Sequence, residues 1–143
     1  MRPRAGCRVP IGLASLAALS GTLPGCGLGV QSPDLFVLTR TGQGQKLTLL
    51  VNDGGTIRCN GGSKRPLSNT LLLSARDLAT SLDNDAKAKL RTPTPANSAF
   101  TYTVKLMDGT ISFPDTAARV RSELAQAELF AVQAADQACG LNL

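Results

Sequence analysis

Residues 100–107 alternate without a break. Phe100, Tyr102, Val104 and Leu106 fall on one side, and Thr101, Thr103, Lys105 and Met107 on the other. A period of two gives a strand with one face on a core and one toward solvent. The run ends in Asp108-Gly109, a pair that favours two-residue hairpins, and residues 110–113 return with Ile111 and Phe113 on the apolar side. An antiparallel hairpin with a single apolar face cannot stand alone in water, so something must cover it.

The earlier part of the chain repeats the pattern. Residues 35–40 (LFVLTR) are apolar and β-rich, and residues 41–45 (TGQGQ) read as a turn. In residues 46–52, Leu47, Leu49 and Val51 share one face, with Leu50 the exception. Asp53-Gly54-Gly55 reads as a second hairpin turn, since Asp and Gly tolerate positive φ. Residues 56–59 then place Ile57 and Cys59 inward, and Asn60-Gly61-Gly62 ends the strand.

Two helices can supply the cover. Ser68 is a suitable N-cap, and Leu71, Ala75, Leu78, Leu82 and Ala86 recur at helical spacing. Thr92-Pro93-Thr94-Pro95 is expected to stop this helix. A second helix is expected to be capped by Ser122, with Glu123 in its first turn. Leu124, Ala127, Ala131, Ala134 and Ala138 lie on one face, Phe130 beside it, and Gly140 at the C-terminal end. The predicted fold is α+β: an antiparallel sheet of about five strands, in the order β-β-β-α-β-β-α, with two helices packed on one face. Residues 34–143 suffice for one such domain with a modest core.

The first 25 residues read differently. Arg2, Arg4 and Arg8 precede an uncharged apolar run from residue 9 to 23, too short and too interrupted by Pro10, Gly12 and Gly21 to suit a membrane span. This is the layout of a signal peptide. The formal net charge of +5 owes much to it. Removing those three arginines from 15 basic residues leaves 12 against 10 acidic ones, a net of +2. With four Phe, one Tyr and no Trp besides, a nucleic-acid partner is not expected.

The stretch Leu23-Pro24-Gly25-Cys26 resembles the lipobox of bacterial lipoproteins. The resemblance implies cleavage before Cys26 and a diacylglyceryl group on its thiol. Residues 27–33 (GLGVQSP) would be a flexible tether. Two or three acyl chains anchor stably where one would not. The other reading is an ordinary secretory signal with Cys26 left as a thiol. Cysteine arithmetic favours the lipid. Cys7 leaves with the signal peptide and Cys26 is modified, so Cys59 and Cys139 remain as a pair for a disulfide in an oxidising compartment.

Several chemistries are absent. The chain has no His, so Ser-His-Asp and Cys-His systems and His-ligated zinc are excluded. Asp83-Asn84-Asp85 lacks the glycine and glutamate of an EF-hand loop. The pairs Asp83–Lys87 and Asp85–Lys89 instead suit i,i+4 ion pairing on an exposed helix face. The glycine clusters are explained by hairpin turns, and no P-loop is present. No cofactor is expected beyond the covalent acyl lipid on Cys26.

Two groups of residues stand out as partner contacts. Arg58, Lys64 and Arg65 cluster around a turn and could meet anionic headgroups or an acidic partner. Residues 91–98 form a loop stiffened by Pro93 and Pro95, with Arg91 at its start. The opening LFVLTRTG…LTLLVNDGGTIRCNGG and the closing ACGL resemble small uncharacterised actinobacterial lipoproteins, a likeness that implies no activity. The expectation is a non-enzymatic binding module of the cell envelope. It would be extracytoplasmic, lipid-anchored to the outer face of the cell membrane, with an envelope protein or peptide as partner. The alternative rests on the strand-turn-strand LFVLTRTGQGQKLTLLV, which is faintly similar to the subtilisin-inhibitor family. That likeness implies a secreted protease inhibitor with residues 91–98 as its reactive loop.

Overall fold

A computed structural model describes Val30 and residues 33–143. The expected signal peptide and Cys26 lie outside the described residues, as does most of the expected tether. The described chain forms strands β1 (Asp34–Gly42), β2 (Gln45–Asn52), β3 (Thr56–Cys59) and β4 (Lys64–Pro66), then helix α1 (Asn69–Lys87), strands β5 (Thr101–Lys105) and β6 (Thr110–Pro114), and helix α2 (Ser122–Ala134). A 3-10 turn at Asp115–Arg119 leads into α2, and a wider π turn at Ala135–Cys139 follows it. The expected α+β architecture is present.

All strand pairs are antiparallel, and the sheet order is β4-β3-β2-β1-β5-β6. The sheet has six strands rather than about five. The additional one, β4, is three exposed residues at the edge. It has no alternation to read, and its Pro66 occupies an edge position where a missing N–H is tolerated.

The inward faces match the period-two reading. Leu47, Leu49 and Val51 of β2 and Tyr102 and Val104 of β5 are all buried, as are Ile111 and Phe113 of β6; in β1, expected only to be apolar, the consecutive residues Phe36, Val37 and Leu38 are buried. The buried stripe of α1 is Leu71, Ala75, Leu78, Leu82 and Ala86. The alanine-rich stripe of α2 lets it approach closely, and Phe130 meets Phe36 edge-on at 5.5 Å between ring centroids.

Three local expectations are corrected. First, α1 ends at Lys87, ahead of the Thr92-Pro93-Thr94-Pro95 segment. The Leu90 N–H donates to the Asp85 carbonyl (2.9 Å) and the Lys89 N–H to the Ala86 carbonyl (3.0 Å). Those two bonds form a Schellman cap, and they require the left-handed conformation that Lys89 adopts at φ 52°.

Second, Ser122 is inside α2, not its cap. Arg121 holds the cap position with extended dihedrals and no side-chain bond to the backbone, since a guanidinium has only donors and cannot accept from the first-turn N–H groups; it pairs instead with Asp85 and Glu123. Third, the β5–β6 hairpin closes through residues 106–109, with the Leu106 N–H on the Gly109 carbonyl at 2.8 Å. Gly109 does not take a positive φ. It is small because a Cβ there would overlap the Ala86 carbonyl at the end of α1.

The π turn changes the last stretch as well. A widened turn advances the register by one residue. Cys139 is therefore buried, while the expected Ala138 is only partly so.

Candidate functional site: a buried guanidinium beside the C-terminal segment

The inward series of β1 reads Phe36, Leu38, Arg40. Its third member is a cation only 8% exposed. The cross-strand partners of Arg40 are Leu47 on β2 and Tyr102 on β5, both also buried. The guanidinium lies over the Phe100 ring, 3.7 Å from its centroid. Its Nε is buried with no hydrogen-bond partner. None of the ion pairs among the described residues includes Arg40. A buried charge without a counter-charge is costly, and folded proteins rarely keep one without use for it.

Tyr102 lies beside it. The Tyr102 hydroxyl donates to Glu128 Oε1 on α2 at 3.3 Å. Burial pushes the Tyr102 pKa up to about 12, helped by the Glu128 charge and opposed by the nearby Arg40. The phenol is therefore a neutral donor at physiological pH, occupied with Glu128.

Arg40 opens onto a cleft of about 350 Å³, lined also by Lys46, Leu47, Asn60, Phe100 and residues 141–143. Gln45 lines it too; no Asp or Glu side chain does, although Leu143, the last residue of the sequence, carries an α-carboxylate. Asn60 adopts a left-handed φ of 51°. Its Oδ1 accepts from the Thr48 N–H at 2.8 Å, which leaves its amide nitrogen as a donor.

Two sets of contacts hold the walls. The C-terminal wall follows Cys139, which is disulfide-bonded to Cys59 with 6.0 Å between Cα atoms. Gly140 turns the chain at φ 67°, and the Leu141 N–H closes on the Ala135 carbonyl at 2.8 Å. Arg65 reaches across and donates to the Cys139 carbonyl at 3.1 Å, where a cation meets the negative end of the helix.

Asp115 holds the opposite wall. It accepts from the Ser98 hydroxyl (2.7 Å), the Ala99 N–H (3.1 Å) and the Phe100 N–H (3.3 Å). Desolvation pushes its pKa up, but these bonds and one from the Thr116 backbone outweigh it and hold the carboxyl below its ordinary value. Gly42 lets β1 approach this strap, since a Cβ there would overlap the Ala99 carbonyl.

The residues singled out from sequence are dispersed. Arg58 and Lys64 pair across β3 and β4 and line a shallow recess with Asp34 and Asn52. Arg65 points to the helix side, as described, so the three cations do not form one patch. Arg91 is bridged to Ser112 of β6, with the Thr92 N–H on the Ser112 carbonyl at 2.9 Å. Arg91, Pro93 and Pro95 are exposed. With β4 and β6 at opposite edges, the two groups stand a sheet width apart, about 24 Å.

Asp83 pairs with Lys87 at 2.6 Å as expected. Asp85 instead pairs with Arg121 at 2.7 Å, because Lys89 lies beyond the helix end. No metal-binding cluster and no helix able to cross a membrane occurs among the described residues.

Arg40 belongs to the apolar run LFVLTR, in which alternation puts it inward with Phe36 and Leu38. No family model, curated protein or solved structure matches the chain.

Proposed function

We propose that this chain is a non-enzymatic binding module of the cell envelope, held outside the cytoplasmic membrane by acyl chains on Cys26, which captures an anionic group in the Arg40 cleft. The observation that carries the binding site is the buried guanidinium of Arg40, outside every ion pair among the described residues and with its Nε lacking a hydrogen-bond partner, in the lining of a cleft without acidic side chains. A site that already holds its cation desolvated needs little reorganisation to receive an anion. Lys46 at the rim adds a second positive charge that favours approach of anions. The anchor rests on the Leu23-Pro24-Gly25-Cys26 motif alone.

Two measurements test this reading. Melting the full chain in chloride, acetate or phosphate at equal ionic strength and pH should show a rise in Tm with one of the oxyanions, absent in Arg40→Met. Identical curves in all three salts would remove the anion site. Mass spectrometry of the mature protein should find Cys26 acylated, and Cys26→Ala should leave the membrane fraction; an unmodified Cys26 would remove the anchor.

A second reading is the protease inhibitor. One observation favours it: residues 91–98 are largely exposed, while their flanks are tied to Ser112 and Asp115. Such bracing could serve a reactive loop. Incubation with a subtilisin-type protease decides it: stoichiometric inhibition supports the inhibitor, and cleavage without inhibition excludes it.

A further inference from the structure

We infer that the sheet face turned away from the helices docks flat on an anionic lipid surface. From the reading above this takes only the acylated Cys26; the Arg40 cleft plays no part in it.

Alternation defines the face. Lys46, Thr48, Leu50 and Asn52 of β2 alternate with the buried Leu47, Leu49 and Val51. Register carries the pattern across the sheet. One row runs Lys64, Arg58, Leu50, Val37 and Lys105, on β4, β3, β2, β1 and β5. It sets cations on either side of two apolar side chains. The next row is Thr48, Thr39, Thr103 and Ser112, and the bridge to Arg91 extends it past β6. It is a line of hydroxyls that ends in a guanidinium.

Charge is segregated on the same plan. Of the ten acidic residues, only Asp34 lies on a strand, and its carboxylate accepts from the Asn52 amide at 2.9 Å. Lys46, Arg58, Lys64 and Arg91 are exposed and enter none of the ion pairs among the described residues. Such a face is a positive surface that attracts anions.

Shape and tether choose among anionic partners. The cations are spread over the breadth of the sheet, about 24 Å from β4 to β6, as a plane of headgroups requires. The strand aromatics Phe36, Tyr102 and Phe113 are all buried on the helix side, so none offers this face a ring for a sugar to stack on. Residues 26–33 span at most about 29 Å when fully extended. They enter β1 at the corner where Pro33 and Asp34 share a recess with Arg58 and Lys64. An anchor at Cys26 keeps that corner close to the bilayer, where basic side chains are drawn to anionic lipid within a Debye length.

Lysine acetylation of the full chain tests the assignment, on vesicles of phosphatidylcholine alone or mixed with phosphatidylglycerol. Phosphatidylglycerol should slow acetylation of Lys46 and Lys64 by about threefold or more at low salt, and about 1 M salt should restore it. Lys87, on α1 across the sheet, should react alike on both vesicles. Arg58→Glu and Arg91→Glu together should abolish the protection while keeping the circular dichroism.

Equal rates at Lys46 and Lys64 on both vesicles would overturn the inference, and so would protection of Lys87 in their place. A soluble polyuronate that shields Lys46 and Lys64 where phosphatidylglycerol does not would also overturn it, and would give the face to an acidic polysaccharide. Cosedimentation with phosphatidylcholine vesicles reports the acyl anchor separately. A chain that leaves those vesicles yet is shielded on phosphatidylglycerol loses the anchor and keeps the docking face. The comparison of vesicles uses the unaltered chain, so it decides the matter even if the double variant fails to fold.

Discussion

Replacing Arg40 by Met keeps an unbranched stem between Leu47 and Tyr102 and removes the guanidinium. An unsatisfied buried polar group costs about 1–3 kcal/mol, and more when charged. Against this, the stacking of Arg40 on Phe100 at 3.7 Å contributes about 0.5–2 kcal/mol. The carbon stem is buried in both proteins, so its contribution nearly cancels. The expected result without ligand is a neutral to stabilising change of up to about 2 kcal/mol. In a domain of this size each kcal/mol moves Tm by about 4 °C or somewhat more. Denaturant titration in chloride buffer free of carboxylates provides the assay, with a changed midpoint and an unchanged slope. Ligand should then reverse the ranking. At a hundredfold excess over its Kd, a bound anion stabilises the wild type by about 2.7 kcal/mol and leaves Arg40→Met unmoved. A loss of about 3 kcal/mol or more in the ligand-free variant would refute the reasoning, because that is the signature of a broken buried pair. Arg40 would then be part of the scaffold, and the cleft would lose its recognition group.

Lys89→Gly should stabilise the fold by about 1 kcal/mol, since Lys89 occupies a left-handed cap position at φ 52°; thermal melting checks it, and a lower Tm would mean that the lysine side chain contributes more than the backbone strain costs. Asp115 has a folded pKa held below its unfolded one, so its contribution is complete above the ordinary carboxylate range and is lost as pH falls through the lowered value. Asp115→Asn should therefore flatten the acid limb of the stability profile, and an unchanged acid limb would show that its hydrogen bonds survive protonation. Replacing Cys59 and Cys139 together by Ser should lower stability by roughly 4 kcal/mol for a sequence separation of 80, read as a fall in denaturation midpoint. Full thiol labelling of the native, unreduced protein would show instead that the bond does not form.

The sheet and α1 were legible because their signals are periodic and local. Every member of the apolar stripe from Leu71 to Ala86 is buried. Ile57, Tyr102, Val104, Ile111 and Phe113 point inward as alternation demands. Two of the differences involve contacts distant in sequence. The end of α1 at Lys87 involves the β5–β6 turn, whose Gly109 packs on Ala86. At the start of α2, Arg121 is held by an ion pair to Asp85, 36 residues away, and the cap stands one residue before the expected one. Arg65 looked like a neighbour of Lys64, but adjacent residues in a strand point to opposite faces, so it reaches Cys139 while Lys64 pairs with Arg58. Arg40 is legible by the same rule, as a cation at an inward position of an otherwise apolar, β-rich run.

The positions of the supporting residues bear on how such a cleft would act. Arg40 stands on β1, one of the two central strands of the sheet, between β2 and β5, and has little freedom to leave. Each wall has its own clamp. Cys59–Cys139, Gly140 and Arg65 hold the segment that carries Leu141. Asp115 and the absent side chain of Gly42 hold the strap that carries Phe100. None of these supports lines the cleft itself. Positioning groups kept apart from contact groups are what a preformed site requires, since they fix geometry without occupying the space a ligand needs. The clamps also differ in chemistry: one is covalent and sensitive to reduction, the other a hydrogen-bonded carboxylate sensitive to acid. Loosening either wall should weaken ligand capture by the same route, lost preorganisation at Arg40, even though neither cystine nor aspartate touches the bound anion.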